Sequence, residues 1–375
     1  MTDNHEQLPC VLIIDDKPDA EKGRAAAIAA RGYRTIVRTP QNVTLEDVSE
    51  ASVIAIDEYL EWESDSHPAA PAFFPVDGLA LVRIFQRHAW NLKKSPAFVL
   101  RSGELEKLGK SLPAAIRESA LAAQHDLDWA FNKQDAREGH RIAALAAATH
   151  ELRQTFPDGN PWDGGLTWLG LPDTEWHEIA AAQVDACRPP DHSVADYTSG
   201  SSWLRWFAQR ILPYPTFLLS DLHTSVRLRM PLADLRGVLA SSSPLSQKLS
   251  EFRYSGNLHD FHGSRWWRAG VDHFVDSLLA EGDWDVSESE LLSEKLTRLH
   301  GDTLGSLPQK HPVVVIDATY TESQWVVDSS EAVRLSPDLW PVFADEPWGS
   351  IEDAEEDPQI RSLVAREDKN RILGG

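Results

Sequence analysis

The sequence predicts an α/β fold: a doubly wound, five-stranded parallel sheet, followed by a mostly α-helical second domain with a small β-hairpin. Short, unbroken apolar runs (Val11-Leu-Ile-Ile, Val53-Ile-Ala-Ile, Phe98-Val-Leu) recur between helix-forming stretches. Such runs belong to parallel strands buried on both faces. Each of them ends in an acid or a hydroxyl, which places polar groups together at the carboxyl edge of the sheet. A stretch dense in turn residues, Pro157 to Gly165, then interrupts the alternation. With 375 residues the chain is long enough for two cores. The expected division is a first domain over 8–156, a linker over 157–165 and a second domain over 166–375.

The elements follow in order. Cys10-Val-Leu-Ile-Ile is the first strand, and Asp19 to Arg31 is a helix opened by Pro18 and stopped by Gly32. Tyr33 to Thr39 is β-rich. Thr44 with Asp47 three residues on resembles a capping box and opens a short helix. Ser52 to Asp57 is another buried strand. Asp77 caps a helix from Gly78 to about Lys93, whose Leu79, Val82, Ile84 and Phe85 form its apolar side. Pro96 to Ser102 is a strand, Leu112 to Gln124 a helix, Leu127 to Lys133 the fifth strand, and Asp135 to Phe156 the last helix.

Beyond Gly165 the sequence shows no repeat. Helices are expected over Glu175–Cys187, Ser202–Ile211, Asp221–Arg229, Leu232–Ala240, Trp266–Leu279 and Ser287–His300. Pro312-Val-Val-Val-Ile-Asp317 and Gln324-Trp-Val-Val-Asp328 form a hairpin. Eleven of the 14 tryptophans lie from Trp162 onward, Trp162, Trp168, Trp203 and Trp325 among them. They serve either as large core residues or as an interaction surface, since tryptophan is enriched at binding hot spots.

Composition excludes several classes. No apolar run approaches the ~20 residues of a membrane helix, and the N-terminus has no export signal. Cys10 and Cys187 stand far apart, in no metal-ligand spacing, which fits a reducing compartment. A cytoplasmic protein without membrane contact is expected. From Glu151 onward there are 19 basic against 36 acidic residues. An output domain that neutralises DNA phosphates needs a basic face, so no DNA partner is expected.

The strand ends hold the chemistry: Asp15 and Asp16 after the first strand, Asp57 after the third, Ser102 after the fourth, Lys133 after the fifth. Crowded carboxylates repel one another unless a cation is present, and an all-oxygen acidic pocket suits Mg²⁺. A carboxylate nucleophile can take a phosphoryl group. Metal and lysine then offset the charge on the transferred oxygens.

Val11-Leu-Ile-Ile-Asp-Asp16, Val53-Ile-Ala-Ile-Asp57, Phe98-Val-Leu-Arg-Ser102 and Lys133 together resemble the receiver domain of bacterial response regulators, a flavodoxin-like fold, over roughly residues 8–156. The resemblance implies Asp57 as phosphoacceptor, with Asp15, Asp16 and the Tyr59 backbone carbonyl as further Mg²⁺ ligands. It also implies Ser102 as the switch hydroxyl and Lys133 as the phosphate-binding lysine. Two-component signalling follows, with a histidine kinase or other phosphodonor upstream and an output protein bound by the second domain. No enzymatic activity beyond phosphotransfer and autodephosphorylation is expected. Three departures stand out. The Glu58–Asp77 segment is much longer than the family's loop and acidic; Gln134 replaces the usual proline after the lysine; and the aromatic switch position is Ala130, flanked by Trp129 and Phe131.

Two rivals remain: a pseudo-receiver scaffold without phosphorylation, and a metal-dependent enzyme using His259, His262 and His273. The spacing of those histidines matches no familiar zinc motif. The final Gly374-Gly375 superficially resembles a ubiquitin-like tail, with no such fold upstream.

Overall fold

Strands β1 (Cys10–Ile14), β2 (Arg34–Arg38), β3 (Val53–Asp57), β4 (Ala97–Ser102) and β5 (Trp129–Asn132) form one sheet. Its order is β2-β1-β3-β4-β5, and every pairing is parallel. This is the flavodoxin-like order, whose switch point lies between the first and third strands. The computed structural model describes residues 8–61, 77–91, 96–156, 161–188, 196–280 and 287–372.

Burial explains why the central strands carry no polar alternation. Every residue of β1, β3 and β4 is buried, whereas β2, at one sheet edge, is half exposed. Helices α1 (Pro18–Ala29), α2 (Leu45–Glu50), α3 (Gly78–Asn91), the single turn α4 (Leu105–Leu108), α5 (Arg117–Gln124) and α6 (Glu138–Thr155) connect and follow the strands. Helix α1 packs beside α6, and α2 beside α3, as right-handed crossovers on the two faces require. The capping box of α2 is present: Asp47 N donates to Thr44 Oγ1 at 3.1 Å, and Thr44 N to Asp47 Oδ2 at 3.0 Å. Asp77 caps α3 by accepting from Ala80 N at 2.8 Å.

The start of α3 is fixed by a close approach. Gly78 N donates to the carbonyl of Glu58 at 2.8 Å. A Cβ at Gly78 would lie 2.0 Å from the Asp57 carbonyl oxygen and 3.1 Å from Glu58 Cα. Only glycine fits there. The end of the strand that carries Asp57 is thereby clamped from one side.

The chain divides into two compact units, and their boundary differs from the expected one. The sheet's unit takes in residues 1–112, 117–169 and 190–209. Residues 161–165, expected as linker, open helix α7 (Pro161–Leu169); residues 157–160 lie outside the described part. The turn residues there misled because Pro161 is well tolerated in a first helical turn. Helix Asp196–Trp206 then returns to this unit, where Trp203 packs on Trp162 at 4.9 Å and on Trp206 at 4.7 Å between ring centroids. Gln209 donates to the carbonyls of Leu127 and Asp128 at 2.8 and 3.0 Å, just ahead of β5. These tryptophans are core residues of the sheet's unit, not an exposed surface.

The second unit holds helices His177–Ala186, Asp221–Arg227, Leu232–Ala240, Pro244–Ser250, Arg268–Leu279 and Glu288–His300. The expected hairpin is present as Pro312–Ile316 against Glu322–Asp328, antiparallel. It belongs to a four-stranded sheet, completed by Trp348–Ser350 beside Pro312–Ile316 and Ala332–Arg334 at the other edge. The two added strands have three residues each, too few for an alternation pattern to show. Trp266 and Trp267 are buried in this unit, while Trp325 is 82% exposed.

Candidate functional site

Asp15 and Asp16 follow β1, Asp57 ends β3, Ser102 ends β4 and Lys133 follows β5. All five therefore reach the carboxyl edge of the sheet. One carboxylate oxygen from each of Asp15, Asp16 and Asp57 lies within 4.8 Å of the others. Lys133 Nζ sits between two of them, 2.9 Å from Asp15 Oδ2 and 2.8 Å from Asp57 Oδ2. Its own backbone N–H donates to the Ser102 carbonyl at 2.9 Å, so the β4–β5 pairing sets where the ammonium points.

Electrostatics separates the two aspartates that share this lysine. Burial pushes the Asp57 carboxyl up and the neighbouring Asp15 charge adds to that, so Lys133 offsets the rise only in part. Burial also acts on Asp15, but there the Lys133 ammonium and the Lys17 N–H, which donates to Oδ1 at 2.9 Å, win and hold it below the usual range. A carboxyl raised in the folded state costs stability when ionised, and that cost fades as pH falls through its folded pKa. A depressed carboxyl contributes stability above its unfolded pKa, about 3.9, and loses it on acidification through the lower folded value. In metal-free buffer at neutral pH, Asp57→Asn is therefore expected to melt above the wild-type protein and Asp15→Asn below it. Calorimetric scans from pH 7 to pH 3 check this, and the separation between the variants should shrink at the acid end.

Directly beneath the pocket lies a second charged layer that sequence reasoning missed. Arg101, fully buried on β4, donates from Nε to Glu138 Oε1 at 2.6 Å, and its Nη2 is 2.9 Å from Glu21 Oε2. Arg24 braces the same two carboxylates at 2.6 and 2.7 Å. The guanidinium of Arg101 adds a little to the lowering of the Asp15 carboxyl and offsets a little of the burial-driven rise at Asp57. An arginine inside the run Phe98-Val-Leu-Arg-Ser was the available signal, since an unpaired buried arginine is not tolerated.

Glu58 was missed as well. It is buried, and Ser102 Oγ donates to its Oε2 at 2.5 Å. Burial pushes the Glu58 carboxyl up despite this bond, and the charges of Asp57, Asp77 and Glu104 add to the shift. Tyr59 projects a ring that is 58% exposed, its hydroxyl 3.5 Å from Glu104 Oε2. Ala130 is buried, and Arg141 lies over the rings of Trp129 and Phe131 at 5.2 and 5.1 Å. Both flanking aromatics are thus core partners of Arg141. Most of the Glu58–Asp77 segment, residues 62–76, lies outside the described residues.

The C-terminal histidines do not form a comparable cluster. His259 interacts with Asp260 at 3.1 Å, and His273 with Glu175 at 3.2 Å. Among the described residues, Asp15, Asp16 and Asp57 are the one group of three or more potential ligands whose donor atoms converge. The rival metal centre at His259, His262 and His273 finds no support here: among the described residues these side chains form no converging ligand group. Gly375 lies outside the described residues. No helix among those described is long and apolar enough to cross a membrane.

The fold and the site together define a parallel α/β unit with an acidic, lysine-bridged pocket at the carboxyl edge of its sheet. Compared with known proteins, the chain matches no family model and no curated relative.

Proposed function

We propose that the sheet's unit is a receiver domain that accepts a phosphoryl group on Asp57, and that the second unit passes the signal to a protein partner. The observation that carries this is the placement of the Asp57 carboxylate: 2.8 Å from Lys133 Nζ and converging with Asp15 and Asp16. In the reaction, an Asp57 oxygen forms a bond to phosphorus while the bond to the donor breaks. The donor is the phosphohistidine of a kinase or an acyl phosphate, and it leaves with the electron pair. Lys133 meets the negative charge gathering on the phosphoryl oxygens.

The three carboxylates suit a hard divalent cation, since their donors are all oxygen and already within reach of one another. Asp15, Asp16, Asp57 and the Tyr59 carbonyl would hold Mg²⁺, which would neutralise charge on the incoming group. The acidic second half of the chain supports a protein rather than a DNA partner, and the histidine kinase and output protein are part of the same proposal.

Incubation with Mg²⁺ and acetyl phosphate, or a cognate kinase, tests the reading by intact mass. A single phosphoryl adduct on wild type that is absent from Asp57→Asn is the expected result. If no phosphodonor labels wild type, and beryllofluoride does not bind it either, the fold serves as a scaffold and the proposal fails.

A further inference from the structure

The Ser102 hydroxyl is already committed. It carries one proton, which it donates to Glu58 Oε2 at 2.5 Å, while its oxygen accepts the Glu104 N–H at 2.9 Å. Both Ser102 and Glu58 are buried, at 0% and 5% exposure, so water does not stand in for either partner. Glu58 directly follows Asp57, and its backbone is held from two sides. Its N–H donates to the Arg101 carbonyl at 2.9 Å, and its carbonyl accepts from Gly78 at 2.8 Å. The carboxylate is therefore presented to Ser102 by a fixed stretch of chain.

We propose that Glu58 is a built-in competitor for the Ser102 hydroxyl, a carboxylate latch that must be displaced before Ser102 can donate to a phosphoryl group on Asp57. This rests on the receiver reading of the site. A phosphoryl group on Asp57 brings oxygens to the same strand ends. For Ser102 to reach one, its proton must leave Glu58, and the stranded carboxylate then shares a buried region with the new negative charge. Both effects oppose the switched state. The latch keeps the domain in its resting form against weak or transient phosphodonors and makes full switching depend on a strong one. Glu58 acts here as a positioning residue, through Ser102.

The test is a calorimetric titration of the full chain with beryllofluoride at saturating Mg²⁺. Wild type is compared with Glu58→Ala, Glu58→Gln, Ser102→Ala and the double variant Glu58→Ala/Ser102→Ala. A hydrogen bond to a charged acceptor is worth enough that its release should tighten Glu58→Ala by about tenfold to a hundredfold. Glu58→Gln, which keeps an acceptor but loses the charge, should gain less. In the Ser102→Ala background, removing Glu58 should gain clearly less than in wild type, because the hydrogen bond is gone and only the repulsion between Glu58 and the new charge remains. Beryllofluoride binding by Glu58→Ala alone, with none to a wild type that a phosphodonor still labels, also supports the latch. Equal affinity of wild type and Glu58→Ala overturns it and leaves the receiver reading intact. A gain that persists undiminished in the Ser102→Ala background overturns it too, since the effect would then be simple charge repulsion. If no variant binds beryllofluoride, the receiver reading falls and the latch falls with it. Melting temperatures of the variants establish that each is folded.

Discussion

Replacing Arg101 with alanine is expected to remove about 3–5 kcal/mol of stability from the sheet's unit, the range for breaking a buried ion pair on one side. The reason is the fate of Glu21 and Glu138. Both are buried, and Arg101 supplies contacts at 2.9 and 2.6 Å to them from an interior strand of the sheet. Arg24 remains, but it is one guanidinium against two carboxylates and sits nearer the surface. Hydrogen exchange of the β3 and β4 amides under increasing urea reads the loss where it occurs. Lysine should not rescue, because its single ammonium cannot reproduce the two-pronged contact of a guanidinium. Removing a surplus acid should help: Arg101→Met with Glu138→Gln is expected to be more stable than Arg101→Met alone. If Arg101→Ala exchanges like wild type, the charged layer contributes nothing and the pocket above it rests on apolar packing.

Gly78→Ala is expected to be nearly as damaging, at about 3 kcal/mol, the upper end of ordinary overpacking costs. The clash is with main-chain atoms, the Asp57 carbonyl oxygen at 2.0 Å and its carbon at 2.9 Å, which cannot rotate away as a side chain would. Either α3 lifts from the sheet and loses its 2.8 Å bond to the Glu58 carbonyl, or the end of β3 shifts and carries Asp57 with it. The first outcome lowers the urea midpoint; the second also weakens Mg²⁺ and beryllofluoride binding. An alanine variant with wild-type stability and binding would mean that the β3–α3 connection is soft and does not position Asp57. By contrast Gly23→Ala, on α1 with no atom within 4 Å of the added carbon, should be neutral or slightly stabilising.

The apolar runs ending at Ile14, Ile56 and Leu100 determined the sheet by themselves, because strands buried on both faces have no polar alternation to disguise them. The residues just after those runs determined the candidate pocket, since a parallel sheet brings its carboxyl ends to one edge whatever the loops do. Capping chemistry at Thr44 and Asp77 was legible for the same local reason. Only the tertiary structure decided the rest. The bond from Ser102 to Glu58 and the ion pairs from Arg101 to Glu21 and Glu138 join residues 37 to 80 positions apart, and no periodicity relates such positions. The return of Asp196–Trp206 to the first unit is of the same kind, since ring packing among Trp162, Trp203 and Trp206 depends on three-dimensional fit rather than on spacing. That His259, His262 and His273 form no converging group was equally invisible, because side chains that can bind a metal do so only when the fold makes their donor atoms converge.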